Sequence, residues 1–426
     1  MIPANIISKK RDGQNLKKDE INFFFKNYLN GIVTDAQMSA MLMAIYFNGM
    51  NEDETFTLVE IMLESGKSLD FSNSKRYVAD KHSTGGIGDK VSIILAPIMA
   101  AAGIKIPMIA GRGLGYTGGT IDKLESIPGF NTSPNLKIFQ KWVEENGYAI
   151  ISQTNTICTA DKKIYDLRSK TGTVPSIPLI CGSIMSKKIA EGISGLILDI
   201  KIGNGTFMKN KKTAFELGSW MKKIGTAFDI KTDIVYTDMN QPLGNYAGLS
   251  CEIEESINCL KGKGANDLMS VTMELGSKLL LQAGIANDHS CAIEIQNKII
   301  KSGKALKAFE SSVESQGGIL KNFQSQMQAK YETFIYNKNP GIIIEINTEA
   351  IGWALNALSC GITSDNIDID YTAGMEFYKK LGSETNIEEP IYRIFCSNKK
   401  RLQKVEKMLP STVIVGDSYD DKPLIY

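Results

Sequence analysis

Lys105-Ile106-Pro107-Met108-Ile109-Ala110 is an apolar run that opens directly into Gly111-Arg112-Gly113-Leu114-Gly115-Tyr116-Thr117-Gly118-Gly119-Thr120. It reads as a buried strand delivering a glycine-rich loop. Upstream, Tyr77-Val78-Ala79 reads as a short strand running into Lys81-His82-Ser83-Thr84-Gly85-Gly86-Ile87-Gly88-Asp89-Lys90, and Val91 to Ala102 as an apolar helix ending at Gly103. Tyr148 to Ile151, Leu196 to Lys201 and Asp233 to Tyr236 supply further strands. Alternating strand, loop and helix implies an α/β fold with a mainly parallel sheet. Ligands of such sheets bind beyond the carboxyl ends of the strands, where both glycine loops are expected.

The flanks are helical. Residues 1–66 read as three short helices: about Leu16 to Asn30, one opened by Thr34-Asp35-Ala36-Gln37 and stopped at Gly49, and one opened by Asn51-Glu52-Asp53-Glu54 and stopped at Gly66. The second opening is a capping box, and asparagine caps the third. Helix is expected again from Asp161, with Ser176 to Ala190 breaking at Gly192, and over most of residues 251–330. From Gly341 short strands and helices mix. The resulting division is a small discontinuous all-α domain (1–67 with 161–194), a large α/β domain (75–160 with 195–335) and a small C-terminal α+β part (340–426).

Bulk properties limit the function. The chain has 426 residues, 43% hydrophobic and 22% charged, with a net charge of +1. That balance gives no reason to expect nucleic acid or membrane as a partner. The N-terminal residues lack the apolar run of a signal peptide, and the seven cysteines include no pair with redox or metal spacing, so a reducing cytoplasm is expected. With only two histidines, a zinc site is not expected.

The loops carry the chemistry. Glycines allow close backbone approach, and successive N–H groups form concave anion sites. Lys81, Ser83 and Ser92 beside them suggest phosphate, and His82 suggests a proton moving nearby. A Walker loop fails, because Asp89 separates Gly88 from Lys90. Gly113 to Gly118 matches Gly-x-Gly-x-x-Gly, but no acidic residue closes a following strand, so a dinucleotide site is not supported. Farther on, Tyr165, Arg168, Ser183 and Lys187 form a basic cluster. Ile180, Ser183 and Lys187 share one helical face; a solvated Lys187-Lys188 pair at a helix end is the alternative.

Lys81 to Lys90, Ala110 to Glu125, Arg168 to Lys188 and Asp199 to Met208 together resemble the thymidine and pyrimidine-nucleoside phosphorylases. The resemblance implies reversible phosphorolysis of thymidine and/or uridine to free base and α-D-(2-deoxy)ribose 1-phosphate, with inversion at C1′. It implies a homodimer joined through the helical domain, an active site in the cleft, and closure that brings phosphate and base together. Inorganic phosphate would be the co-substrate, with no organic cofactor. Lys81, Ser83, Ser92, Thr120 and the Met108–Ile109–Ala110 backbone would hold phosphate. His82 would protonate the base at O2, while Arg168, Ser183 and Lys187 bind its edge. Leu114, Tyr165, Val174, Ile180 and Phe207 would wall the base pocket. Three positions depart from the family pattern. Ala110 replaces a usual serine, which implies weaker phosphate binding, and Tyr116 replaces a usual histidine. Lys90 replaces a threonine with which some bacterial members bind K⁺, the other positions matching as Gly88, Leu243, Tyr246 and Glu255; the Lys90 ammonium is expected in the ion's place. Two alternatives are a related diphosphate-sugar phosphoribosyltransferase and a non-catalytic nucleotide-binding relative. The first needs acidic residues for Mg²⁺, for which Asp199-Ile200-Lys201 is poor.

Overall fold

A computed structural model describes residues 1–113, 115–154, 156–359 and 369–426. The chain opens on α1 (Pro3–Arg11), α2 (Lys18–Leu29), α3 (Asp35–Asn48) and α4 (Glu52–Glu64). β1 (Ala79–Ser83) then leads through the first glycine loop into α5 (Val91–Ala102). β2 (Ile106–Ala110) leads through the second into α6 (Thr120–Leu124), followed by α7 (Leu136–Asn146) and β3 (Tyr148–Ser152). α8 (Thr159–Thr171) and α9 (Ile177–Ala190) precede β4 (Gly195–Ile202), α10 (Lys211–Ala227), β5 (Lys231–Asp238) and β6 (Tyr246–Gly248). A helical stretch follows: α11 (Ser250–Leu260), α12 (Asn266–Gln282), α13 (His289–Lys301), α14 (Lys304–Ser315) and α15 (Phe323–Gln326). The last part holds β7 (Tyr331–Tyr336), β8 (Gly341–Ile346), α16 (Thr348–Ser359), β9 (Gly374–Phe377), β10 (Glu384–Thr385), β11 (Pro390–Cys396), α17 (Lys399–Glu406) and β12 (Val413–Gly416).

The chain divides into two compact units. One comprises Met1–Asp80, Gln153–Leu196 and Phe215–Thr232; the other comprises Lys81–Ser152, Ile197–Ala214 and Asp233–Tyr426. In the first, Phe24, Phe25, Met41, Leu42, Leu58 and Met62 form a core that Ala160, Ile164 and Leu179 of α8 and α9 complete. The expected caps are present. Thr34 and Gln37 bond each other's backbone N–H groups, as do Asn51 and Glu54, and Gly49 closes α3 at φ 66°. Such reciprocal bonds satisfy donors that a helix start leaves open.

α1 was not among the expected helices. Its residues carry little apolar periodicity, and Ile6 and Lys10 are its buried positions. Tertiary contacts hold it. Lys10 Nζ donates to Glu54 Oε1 at 2.8 Å and Oε2 at 2.9 Å, with side chains 2% and 0% exposed. Glu54 also accepts from the Leu16 and Asn51 backbone N–H groups.

In the second unit, β2 and β3 pair in parallel, from Ile106↔Tyr148 to Ala110↔Ser152. β1, β4 and β5 form a three-stranded sheet in the order β1-β4-β5. α5 is buried through ten successive residues, Val91 to Ala100, which is why its sequence is apolar all round. It ends at Gly103, φ 102°, as expected. The antiparallel sheet β6-β9-β11-β7 and the helix α16 build a further core, to which Ile87 and Tyr116 of the glycine loops belong.

β1 is displaced from the expected Tyr77-Val78-Ala79 toward Asp80, Lys81 and His82. A strand that polar reads as exposed, yet Asp80 and Lys81 are 0% and 2% exposed. Paired charges replace the apolar pattern: Lys188 bonds Asp80, and Lys81 faces Asp89 and Asp199.

Removing one member of a buried pair leaves the other charge uncompensated. Lys10→Ala should therefore destabilise the protein by about 3–5 kcal/mol in urea unfolding. Lys9→Ala, which breaks a half-exposed pair with Glu20, should lose less than about 1 kcal/mol.

Candidate active site

The second unit contains all the residues expected to bind an anion. Lys81 and Ser83 lie two apart at the end of β1 and so share a face, while His82 faces the other way. Ser92 sits in the first turn of α5, Thr120 opens α6, and Met108, Ile109 and Ala110 end β2. Ala110 pairs with Ser152, whose hydroxyl already donates to the Thr132 carbonyl at 2.9 Å and meets Ser133 Oγ at 3.1 Å.

Lys81 is the unusual member. Its ammonium is buried, and its nearest partners are Ser92 Oγ at 3.4 Å, Asp199 Oδ2 at 3.6 Å and Asp89 Oδ1 at 3.9 Å. Charge-assisted bonds are normally about 2.7–2.9 Å long. Both carboxylates are engaged more closely elsewhere. Asp199 meets Lys201 at 2.7 Å and accepts from Thr237 at 2.7 Å; Asp89 accepts from Ser83 Oγ at 2.5 Å. Burial alone would raise the Asp89 carboxyl, but the ammonium groups of Lys201, Lys81 and Lys123 and the Ser83 hydroxyl hold it well below the usual carboxylate range. A buried lysine with only long contacts among the described residues keeps donor capacity for a further partner.

The stretch Arg112 to Glu125 is a clamp. Arg112 donates to Asp122 at 2.9 Å and to Glu125 at 2.6 and 2.7 Å, and Gly113 N–H donates to Asp122 at 2.7 Å. Lys123, fully buried, donates to the Asp89 carbonyl at 2.8 Å and pairs with Glu252 at 2.6 Å, tying one glycine loop to the other. At Gly119 a Cβ would come within 2.1 Å of Gly113 N, so only glycine permits this approach. Tyr116 is a core residue. Its ring lies 5.5 Å from Phe207 and 5.9 Å from Trp353, and Lys209 donates to its hydroxyl at 3.4 Å. Phe207, expected at the base, belongs to this aromatic group; Leu114 lies outside the described residues.

The first unit assembles the basic cluster. Arg168 on α8 is 1% exposed and donates to the carbonyls of Leu179 at 3.0 Å and Val174 at 2.6 Å. These bonds order the loop before α9. Burial pulls the Arg168 guanidinium down to about 10, with Asp161 and Tyr165 opposing the shift. Tyr165, Val174 and Ile180 are half-buried, and the guanidinium lies 5.5 Å from the Tyr165 ring centroid. Lys187 and Lys188 are not a solvated pair. Lys188 is buried against Asp80 and Glu191, whereas Lys187 bonds Asp161 at 2.5 Å and Ser183 at 2.9 Å.

Several residues here were not singled out in the sequence: Asp161, Asp89 and Lys123, and Asp199 and Lys201 as a pair. Asp161 carried a readable signal, since it stands at i, i+4 and i+7 with Tyr165 and Arg168. Lys123 has its partners distant in sequence, at Asp89 and Glu252.

Comparison with known proteins identifies the family. The chain matches the glycosyl transferase family a/b domain over residues 75–306, its helical bundle domain over 4–66, and the pyrimidine nucleoside phosphorylase C-terminal domain over 342–415. A pyrimidine-nucleoside phosphorylase of Staphylococcus aureus (strain bovine RF122 / ET3-1) is 41% identical over 425 residues, covering 99% of this chain and 98% of that protein. The chain belongs to the pyrimidine-nucleoside phosphorylase family. The family enzyme of Staphylococcus aureus (strain MSSA476) is 40% identical over the same length. Among solved structures, anthranilate phosphoribosyltransferase from Thermus thermophilus superposes with a TM-score of 0.59 at 16% identity, over 73% of this chain and 99% of that one. At that identity the likeness is one of fold.

Proposed function

We propose that this phosphorylase-family chain cleaves pyrimidine nucleosides, thymidine and/or uridine, with inorganic phosphate, giving free base and α-D-(2-deoxy)ribose 1-phosphate reversibly. The observation that carries the reading is Lys81, a buried ammonium with no short bond among the described residues. Phosphate on Lys81, Ser83, Ser92, Thr120 and the β2 end attacks C1′ from the face opposite the base. The C1′–O bond forms as the C1′–N1 bond breaks, and the bonding pair leaves with the base. His82 gives a proton to O2, an assistance worth about 10²–10⁴ in rate. Arg168, Ser183 and Lys187 stabilise the charge that develops on the base, which favours the transition state over the ground state. Tyr165, Val174 and Ile180 supply its apolar surroundings. The phosphoribosyltransferase alternative is weaker, because Lys201 and Thr237 already occupy Asp199.

Lys90 supplies a built-in cation. Its ammonium donates to the carbonyls of Leu243 at 3.1 Å and Tyr246 at 2.7 Å and to Glu255 at 2.5 Å. Burial would lower this group, but Glu255 and Glu252 outweigh it and keep it protonated. At Gly88 a Cβ would lie 2.4 Å from the Leu243 carbonyl, so glycine is required there. The enzyme is a homodimer formed through its helical unit, where Met43, Tyr46 and Phe47 of α3 are exposed, Phe47 at 76%. Among the described residues no helix is long and apolar enough to cross a membrane. The buried free thiols of Cys158, Cys181, Cys251 and Cys259 suit a reducing cytoplasm.

Base release from thymidine or uridine, followed by ultraviolet absorbance, should require phosphate. His82→Gln should lower kcat by about 10²–10⁴, and Lys81→Met should abolish the phosphate-dependent release; unchanged rates in both would overturn the assignment. Turnover should also be equal in K⁺ and Na⁺ buffers, and strong activation by K⁺ would contradict the role given to Lys90.

A further inference from the structure

We propose that Asp161 is the positioning residue for Lys187, fixing its ammonium so that one donor is aimed at the base. The inference rests on the reading of Lys187 as a base-binding cation.

Asp161 stands in the first turn of α8, where the helix end favours a carboxylate. It is 1% exposed. Its Oδ2 accepts from Lys187 Nζ at 2.5 Å and from Gln153 Nε2 at 3.1 Å. Lys187 Nζ donates in addition to Ser183 Oγ at 2.9 Å. An ammonium has three donors. Two anchors on a flexible four-carbon stem fix the direction of the third. Ser183, by accepting from Lys187, turns its own hydroxyl hydrogen away from the ammonium and toward another acceptor. Both groups thereby become oriented donors.

The surroundings argue against a purely structural pair. Among the described residues, Asp161 Oδ1 is buried and lacks a hydrogen-bond partner, as does Arg168 Nε on the same helix face. A pair that served only to join α8 to α9 could often be replaced by well-packed apolar side chains without loss. Here the carboxylate instead organises a cluster with two cations, Arg168 and Lys187, and it offsets the burial of Arg168. Donors aimed at a base that leaves as an anion act where charge develops. Misplacing such a group by about 1 Å can lower the rate about 10²-fold.

The test is a double-mutant cycle with Asp161→Asn, Lys187→Met and the combined variant, assayed with thymidine or uridine and phosphate. Asp161→Asn should lower kcat/KM for the nucleoside about 10²-fold while the KM for phosphate stays the same. In the Lys187→Met background it should add less than about threefold, and Asp161→Glu should restore part of the loss. Retention of activity by Asp161→Asn while Lys187→Met loses it overturns this inference alone. Full activity in Lys187→Met overturns the base-binding reading together with it. Additive losses in the cycle also overturn it. If Asp161→Asn does not fold, Gln153→Ala, which frees the carboxylate on one side only, should lower the same kcat/KM several-fold; an unchanged value there counts against the proposal.

Discussion

Burying a charged lysine is tolerable only when an anion sits beside it, and much of this molecule follows from that constraint. In the second unit Lys81, Lys123 and Lys201 are buried with Asp89, Asp199 and Glu252. Lys123 and Lys201 make short pairs, whereas Lys81 makes none among the described residues. Positive and negative groups balance in number, and at the proposed phosphate site an incoming dianion would meet an ammonium whose existing contacts are long. Unpaired buried charge would be far more costly, and a fully paired lysine would have little left for a ligand.

The glycine loops serve the same arrangement. Gly119 against Gly113 folds the second loop on itself, and Lys123 reaching the Asp89 carbonyl holds the two loops together. Arg112, Asp122 and Glu125 clamp the second loop in place. The most recognisable motif in the chain is therefore mostly scaffold. The residues assigned to phosphate stand at its margins: the β2 end, Thr120, and the strand and helix that flank the first loop. Tyr116 belongs to the scaffold as well, wedged between Phe207 and Trp353.

What could be read from the sequence was local. Capping pairs at Thr34 and Asn51, the stops at Gly49 and Gly103, and the apolar helix from Val91 are decided by neighbours a few residues away. The features missed depend on distant partners. α1 is held by Lys10 against Glu54, and β1 is buried because its charges meet Lys188 and Asp199. A strand of charged residues looks exposed until those partners are known. The same applies to the site. Lys81, Ser83, Ser92, Arg168 and Lys187 were legible as a cationic and hydroxyl pattern; Asp161, which bonds Lys187, was readable only from its helical spacing, and Asp89, which bonds Ser83, was not. The resemblance to the phosphorylases, rather than spacing, supplied the substrate class.

The central claim is that phosphate, not water, takes the sugar. Phosphorus NMR of the protein incubated with thymidine and inorganic phosphate tests it most directly. The account predicts growth of an α-configured 2-deoxyribose 1-phosphate signal in step with thymine release. Thymine appearing with free deoxyribose and no sugar phosphate, or a β-configured product, would contradict it.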